Sequence, residues 1–87
     1  MNIDDILKNP EKVKESHALL IQEMYKTAGK ELAEKIIKTF GNEDSARNWY
    51  YSSSLVFGWK RVYDYCKEGK ISEVKNELGR IEHGILS

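Results

Sequence analysis

The sequence predicts an all-α fold, a small bundle of about five short helices. Apolar residues recur at three- and four-residue intervals over most of the chain, which is the spacing that gives a helix one apolar face. Glycines divide the chain into blocks of helical length. No stretch shows sustained alternation of apolar and polar residues, and the segment Ser53–Trp59, although it could be extended, has no evident partner strand. A chain of 87 residues is expected to form one domain.

The first predicted helix runs from Pro10 to Ala28. Asn9 can cap it, and Pro10 at the first helical position loses nothing by lacking an N–H group. Gly29 is placed to end it. Its apolar stripe comprises Val13, His17, Leu20, Ile21, Met24 and Ala28.

The next two predicted helices are separated by Gly41. The first spans about Lys30–Phe40, with an apolar face that includes Leu32 and Ile36. Asn42 can cap the second, because acidic residues follow it where the helix dipole favours them. Its inner face is predicted to hold Ala46, Trp49 and Tyr50.

Three serines, Ser52–Ser54, favour a turn after the third helix. A short helix is predicted from about Trp59 to Lys67, with Gly69 beyond its end. One side of this helix is expected to carry Trp59, Val62, Tyr63 and Cys66.

The last predicted helix runs from Ile71 or Ser72 to about His83. Gly84 is expected to let the backbone leave the helix, because glycine tolerates positive φ. The tail that follows would then extend away from the domain or tuck back onto it. Its residues are Ile85, Leu86 and Ser87.

Composition and charge argue against several classes of protein. Fourteen Lys and Arg residues balance fourteen Asp and Glu residues, which argues against nucleic-acid binding through bulk charge. The apolar runs are too short for a membrane span. The acidic start, without an apolar stretch after it, and the single cysteine favour a cytoplasmic protein.

Residue types that commonly act in catalysis or bind metals, such as His and Cys, are few and far apart in the sequence. His17 lies on an apolar stripe and is interpreted as a packing residue, whereas His83 suits the C-terminal end of a helix dipole. Cys66 lies on an apolar helical face, which favours a buried structural thiol. We therefore expect no enzyme activity, no cofactor and no metal site.

Aromatic residues are concentrated in the middle of the chain. A bundle this small is not expected to bury all of them, and Trp and Tyr carry much of the binding energy at protein interfaces. An aromatic-rich core is the alternative, but Tyr51 and Tyr65 are predicted to point away from the inner faces of their helices, which favours an interface. The group comprises Trp49, Tyr50, Tyr51, Phe57, Trp59, Tyr63 and Tyr65.

From Phe40 onward the sequence resembles the C-terminal toxin-binding domain of the MbcA/ParS/Xre antitoxins. Like that family, it has a Phe-Gly pair before an acidic helix, then an Ala and a Trp, then a glycine in the loop, and a closing helix with an Arg-Ile pair followed by glycine. The residues that match are Phe40, Gly41, Ala46, Trp49, Gly58, Gly69, Val74, Leu78, Arg80, Ile81 and Gly84. The departures fall in one loop, where Ser53, Leu55, Phe57, Trp59 and Val62 replace the family's residues.

The resemblance implies an antitoxin that is not itself an enzyme. It would bind a RES-domain toxin acting on NAD and cover the toxin's active site with its C-terminal helix and tail. The expected contacts are Arg80, Glu82, His83, Ile85, Leu86 and Ser87, and the residues expected to be structural are Trp49, Gly58, Gly69 and Gly84.

Residues 1–40 are interpreted as an N-terminal helical region, a possible remnant of a helix-turn-helix unit, packed in one domain with residues 41–87. A basic recognition helix is not evident, so DNA binding is expected to be weak or absent. The alternatives are a DNA-binding regulator of its own operon and a stand-alone oligomeric interaction module. Small size and surplus aromatic residues predict a homodimer.

Overall fold

A computed structural model describes the backbone of residues 3–86 and the side chains of residues 3–84. This part of the chain confirms the predicted all-α class, with a radius of gyration of 12.4 Å. Two short strands, β1 (Ser53–Ser54) and β2 (Lys60–Arg61), flank a 3-10 turn at Leu55–Phe57. The helices are α1 (Ile3–Leu7), α2 (Pro10–Glu15), α3 (His17–Ala28), α4 (Lys30–Phe40), α5 (Glu43–Tyr51), α6 (Val62–Lys67) and α7 (Ile71–Leu86).

The predicted helix starts are confirmed at two asparagines. The Asn9 Oδ1 atom accepts a hydrogen bond from the Glu11 N–H at 3.0 Å, with Pro10 at the first helical position. The Asn42 Oδ1 atom accepts one from the Ser45 N–H at 2.8 Å. Each side chain thereby satisfies one of the N–H groups that a helix start leaves without a partner.

The predicted helix Pro10–Ala28 is wrong as a single element. It divides at Ser16, whose backbone (φ −102°, ψ 19°) leaves the helical region. None of the α2 residues is fully buried, so the apolar stripe becomes a core face only in α3. An earlier helix, α1, was not predicted, although it places the fully buried Ile6 in the core.

The expectation that no strand pairs with the segment after α5 is also wrong. Ser53 pairs with Arg61 and Ser54 with Lys60 in an antiparallel ribbon. Strands of two residues are too short to show the alternation that identifies a strand in a sequence. The ribbon takes the residues before Val62 out of the predicted helix Trp59–Lys67, so that α6 begins only at Val62.

The predicted break at Gly84 is wrong as well, because α7 continues as a helix to Leu86. Gly41, which does end a helix, adopts φ +87°. The Gly84 φ lies outside the left-handed region, and its backbone has the helical conformation of its neighbours. A glycine inside a helix costs about 1 kcal/mol relative to alanine, which the helix can tolerate.

The core unites the N-terminal and C-terminal regions. Helix α3 packs against α5 and α6, and α4 packs against α5 and α7. Tyr50 is the largest of the fully buried side chains. Those packed with it include Ile6, Leu20, Met24, Ile36, Val62, Val74 and Leu78.

Candidate interaction surface

Three tyrosines pack together in the core. The ring centroids of Tyr50 and Tyr51 are 5.1 Å apart, and those of Tyr51 and Tyr63 are 5.2 Å apart. The Tyr51 hydroxyl donates a hydrogen bond to the Leu20 carbonyl at 2.6 Å. Tyr51 is therefore a buried structural residue, and the prediction that it faces outward is wrong. Tyr50 and Tyr51 are both buried, although they are neighbours on α5, because α3 and α6 pack against different sides of this helix.

The Tyr50 hydroxyl is satisfied deep in the core. It lies 2.6 Å from Thr27 Oγ1, and that Thr27 hydroxyl donates to the Glu23 carbonyl at 2.8 Å. Because the Thr27 proton is used in that bond, Tyr50 is the donor to Thr27. Burial raises the pKa of Tyr50 and of Tyr51 far above the ordinary value. Both phenols therefore stay neutral and act as hydrogen-bond donors.

Two further aromatic pairs hold the loops in place. Trp49 packs on Phe40 with ring centroids 5.1 Å apart. Phe57 packs on the half-buried Tyr65 at 4.6 Å. Most of the aromatic group is thus used inside the fold, and the predicted interface reduces to Trp59.

The segment between the two strands exposes a cluster of apolar side chains, which we call the apolar loop. Its members are Leu55, Val56 and Trp59, exposed to 69%, 58% and 69%. The prediction that Trp59 lies on the inner side of a helix is wrong. Its φ of +66° is unusual for a residue with a side chain, and its N–H donates to the Ser54 carbonyl at 2.8 Å. Gly58, the preceding residue, ends the 3-10 turn in the left-handed conformation.

A groove of about 200 Å³ separates the apolar loop from α7. The loop side is apolar, whereas the helix side carries two carboxylates, an amide and a guanidinium. Glu77 is 16% exposed, Arg80 is 79% exposed, and Arg80 Nη1 lies 3.6 Å from Glu77 Oε2. The lining residues are Val56, Phe57, Tyr65, Glu73, Asn76, Glu77 and Arg80.

Arg61 fixes the ribbon to α1 and α6. Its guanidinium makes two hydrogen bonds of 2.9 Å to the Asp64 carboxylate, and its Nη1 atom lies 2.6 Å from Asp4 Oδ1. The Arg61 guanidinium beside Asp64 holds the pKa of that carboxyl below its usual value. This network stabilises the position of β2 at the start of α6, and hence of the apolar loop beside it.

The residues expected to contact a toxin occupy different environments. Arg80 lies at the groove, and His83 is exposed further along α7. Glu82 accepts a hydrogen bond from Thr39 Oγ1 at 2.6 Å, so its carboxylate ties α7 to α4. Ile85 and Leu86 belong to the helix, but their side chains lie outside the described part, as does Ser87 entirely. Gly69 adopts φ +81° after α6.

A second polar cluster lies at the start of α5. The Arg47 Nη1 atom is 2.6 Å from His17 Nδ1, and Glu43 Oε1 is 3.4 Å from His17 Nε2. Since Arg47 can only donate, His17 accepts at Nδ1 and carries its proton on Nε2. His17 is thus a polar link between α3 and α5, and its interpretation as a packing residue on an apolar stripe is wrong.

Features of catalytic or metal sites are not evident in residues 3–84. Burial raises the pKa of the Cys66 thiol, which keeps the sulfur protonated and a poor nucleophile. The described residues hold no group of three or more His, Cys, Asp and Glu side chains that could bind a metal ion. None of the described helices combines the length and apolar character required to cross a membrane.

Comparison of the chain with family models, curated proteins and solved structures gave no match. The described surface offers an apolar loop and a groove between that loop and α7.

Proposed function

We propose that this chain is a cytoplasmic antitoxin-type protein that binds a RES-domain toxin and prevents the toxin from acting on NAD. The resemblance from Phe40 onward motivates the choice of partner. The structural observation that supports it best is that α7 continues as one helix to Leu86, with His83 exposed near its end. The end of α7 would cover the active site of the toxin.

The helix supplies a rigid element for binding. Val74 and Leu78 are fully buried, and Glu82 is hydrogen-bonded to Thr39 on α4. His83, one residue further on, is exposed. A partner that binds this end meets a helix that is already formed, so association loses less backbone conformational entropy than binding to an unfolded tail would.

The mechanism proposed for the structure differs from the one expected from the sequence at Gly84 and at Glu82. The hinge expected at Gly84 is absent, so the last residues would approach the toxin as the end of a helix. Glu82 contributes by holding the helix against α4, and His83 and the residues beyond it are proposed to contact the toxin. The chain is also proposed to form a homodimer.

The proposal is tested with the purified chain and the RES-domain protein encoded beside it. We expect the full chain to suppress NAD loss at a near-equal molar ratio. His83→Glu is expected to weaken this inhibition about tenfold, because it replaces an imidazole at the proposed contact with a carboxylate of different shape, which must lose its hydration on binding. Lys26→Glu, a reversal of charge at an exposed position on α3, should inhibit as the unchanged chain does.

Unchanged NAD loss with the chain in large molar excess would contradict the proposal. Equal inhibition by the His83→Glu and Lys26→Glu variants would contradict the assignment of the contact to the end of α7.

A further inference from the structure

We propose that the apolar loop and the face of α7 beside it form the interface with a second copy of this chain. This inference deepens the homodimer of the proposed function by naming its surface. Two copies would pack with their α7 helices antiparallel around a twofold axis, and each apolar loop would cover the groove edge of the other copy.

The apolar loop supplies the hydrophobic part of the interface. Three of the five residues in the segment 55–59 between the strands are large, apolar and more than half exposed. Val56 also lines the groove, which makes the loop continuous with the α7 face. Leu19 on α3, at 41%, is the remaining large exposed apolar side chain among the described residues. Apolar exposure concentrated in one loop marks an interaction site, whereas single exposed apolar residues are ordinary.

The order of charges along α7 favours a second copy as the occupant. Glu73 and Arg80 both line the groove and are seven residues apart, which places them on one helix face about 10 Å from each other. A twofold axis midway between them brings Glu73 of each copy opposite Arg80 of the other. A twofold interface must be self-complementary in this way, since the same patch serves both subunits.

The contacts of Arg80 and Glu73 within their own chain leave both side chains able to bind a second copy. Arg80 is 79% exposed, and its distance to Glu77 is 3.6 Å. Glu73 is exposed at the groove, and the structure records no ion pair for it. Because the Arg80–Glu77 contact is long and the Arg80 side chain is mostly in solvent, the guanidinium can also bind a carboxylate on another subunit. The Asn76 amide lies near the proposed axis, where it can donate to and accept from its own symmetry mate.

In this dimer, different parts of α7 would bind the second copy and the toxin. Arg80, which the resemblance assigns to the toxin, would contact the second copy. The toxin surface would begin after it, at His83. The dimer would therefore leave both ends of the paired helices accessible to toxins.

Sedimentation equilibrium of the full chain alone tests this interface. We expect a dimer at tens of micromolar. Glu73→Arg and Arg80→Glu should each weaken it about tenfold, because each replaces two attractive pairs with two repulsive ones. The double variant Glu73→Arg, Arg80→Glu should restore the dimer, since the pairs form again with their charges exchanged. Glu34→Arg on α4 is the matched charge control and should leave the dimer unchanged.

The apolar part is tested by Trp59→Ser, which should weaken the dimer more than tenfold, since two copies of a large aromatic anchor are lost. Leu19→Ser, which removes the exposed apolar residue outside the loop, should leave it unchanged. A monomer at tens of micromolar would overturn the inference, and the surface would then belong to a different partner. A dimer insensitive to Trp59→Ser and to both charge variants would overturn it too. The toxin is absent from this measurement, so its result is independent of the NAD assay.

Discussion

At the residue scale, the buried hydroxyls show how polar groups stabilise this core. Tyr50 is fully buried, and its hydroxyl, Thr27 and the Glu23 carbonyl form one chain of hydrogen bonds between α5 and α3. Tyr51 makes a second link by donating to Leu20. Because a buried polar group without a partner is costly, these bonds favour one packing of the two helices over others.

Replacing Tyr50 with Phe is expected to lower the free energy of unfolding by about 1 kcal/mol, since the bond to Thr27 is lost while the ring is retained. Tyr65→Phe is the matched control, because the structure records no hydrogen bond for the Tyr65 hydroxyl, and its effect should be near zero. Urea unfolding of the three proteins measures the difference. Equal stability of the Tyr50→Phe variant and the unchanged chain would show that the buried hydroxyl contributes nothing.

Asp64 predicts a specific dependence of stability on pH. Arg61 lowers the pKa of Asp64 in the folded state, so the folded protein binds a proton at this site less readily than the unfolded chain does. The stabilisation is therefore present above the unfolded pKa, about 3.9, and is lost as the pH falls through the lower folded pKa. Asp64→Asn should lower the unfolding free energy by about 1 to 2 kcal/mol at neutral pH.

The difference between Asp64→Asn and the unchanged chain should shrink as the pH falls below about 4. Urea midpoints at neutral and acidic pH measure it. Asp44→Asn is the control, since Asp44 is mostly exposed and its pair with Arg47 should contribute only a few tenths of a kcal/mol. A difference for Asp64→Asn that stayed constant down to acidic pH would contradict the role assigned to its charge.

At the element scale, the continuity of α7 through Gly84 is the largest correction to the sequence-based prediction. A methyl group added at Gly84 would meet no atom within 4 Å outside its neighbours and the helix backbone. Gly84→Ala is therefore expected to raise the free energy of unfolding by about 0.5 to 1 kcal/mol. A fall of similar size would instead indicate that the backbone leaves the helix there.

Gly41→Ala gives the matched comparison for this experiment. Gly41 also has open space around it, but its φ of +87° is unfavourable for alanine. We expect Gly41→Ala to lower the free energy of unfolding by about 1 kcal/mol, which urea unfolding can measure alongside the Gly84 variant. The pair of variants therefore separates the effect of backbone conformation from that of available space.

The elements that the sequence predicts well are those with local signals. Asn9, Asn42 and Gly41 mark helix ends through their own side chains or conformational freedom, and the structure confirms all three. The break at Ser16 and the helix through Gly84 lack such a local signal, because serine and glycine are each compatible with both outcomes. The ribbon after α5 is too short for any periodic signal.

The candidate surface was predictable only in part. The resemblance predicts Arg80 as a toxin contact, which stays a prediction, and the aromatic concentration predicts an interface. The groove was not predictable, because Val56 and Tyr65 reach α7 only through the fold of the ribbon and of α6. The exposure of Trp59 follows from the same ribbon, which removes this residue from the helix in which the sequence places it.

At the scale of the whole molecule, one core supports two exposed features. Residues 3–40 and 41–84 both contribute fully buried side chains, so neither region has a separate core. The apolar loop and the exposed face of α7 lie beside one another at the groove. The molecule therefore places a proposed self-association surface next to the helix end that is proposed to bind a toxin.

Deletion of Gly84–Ser87 tests most directly the claim that the end of α7 binds the toxin. The measurement is the loss of NAD caused by the RES-domain toxin that is encoded beside this chain. The deletion retains Val74, Leu78 and the Thr39–Glu82 hydrogen bond, so its melting temperature should fall by only a few degrees. We expect the full chain to inhibit the toxin and the deleted chain to inhibit it at least about tenfold more weakly. Equal inhibition by the two chains, or a deleted chain that melts far below the full one, would contradict the claim that the end of α7 is a binding element.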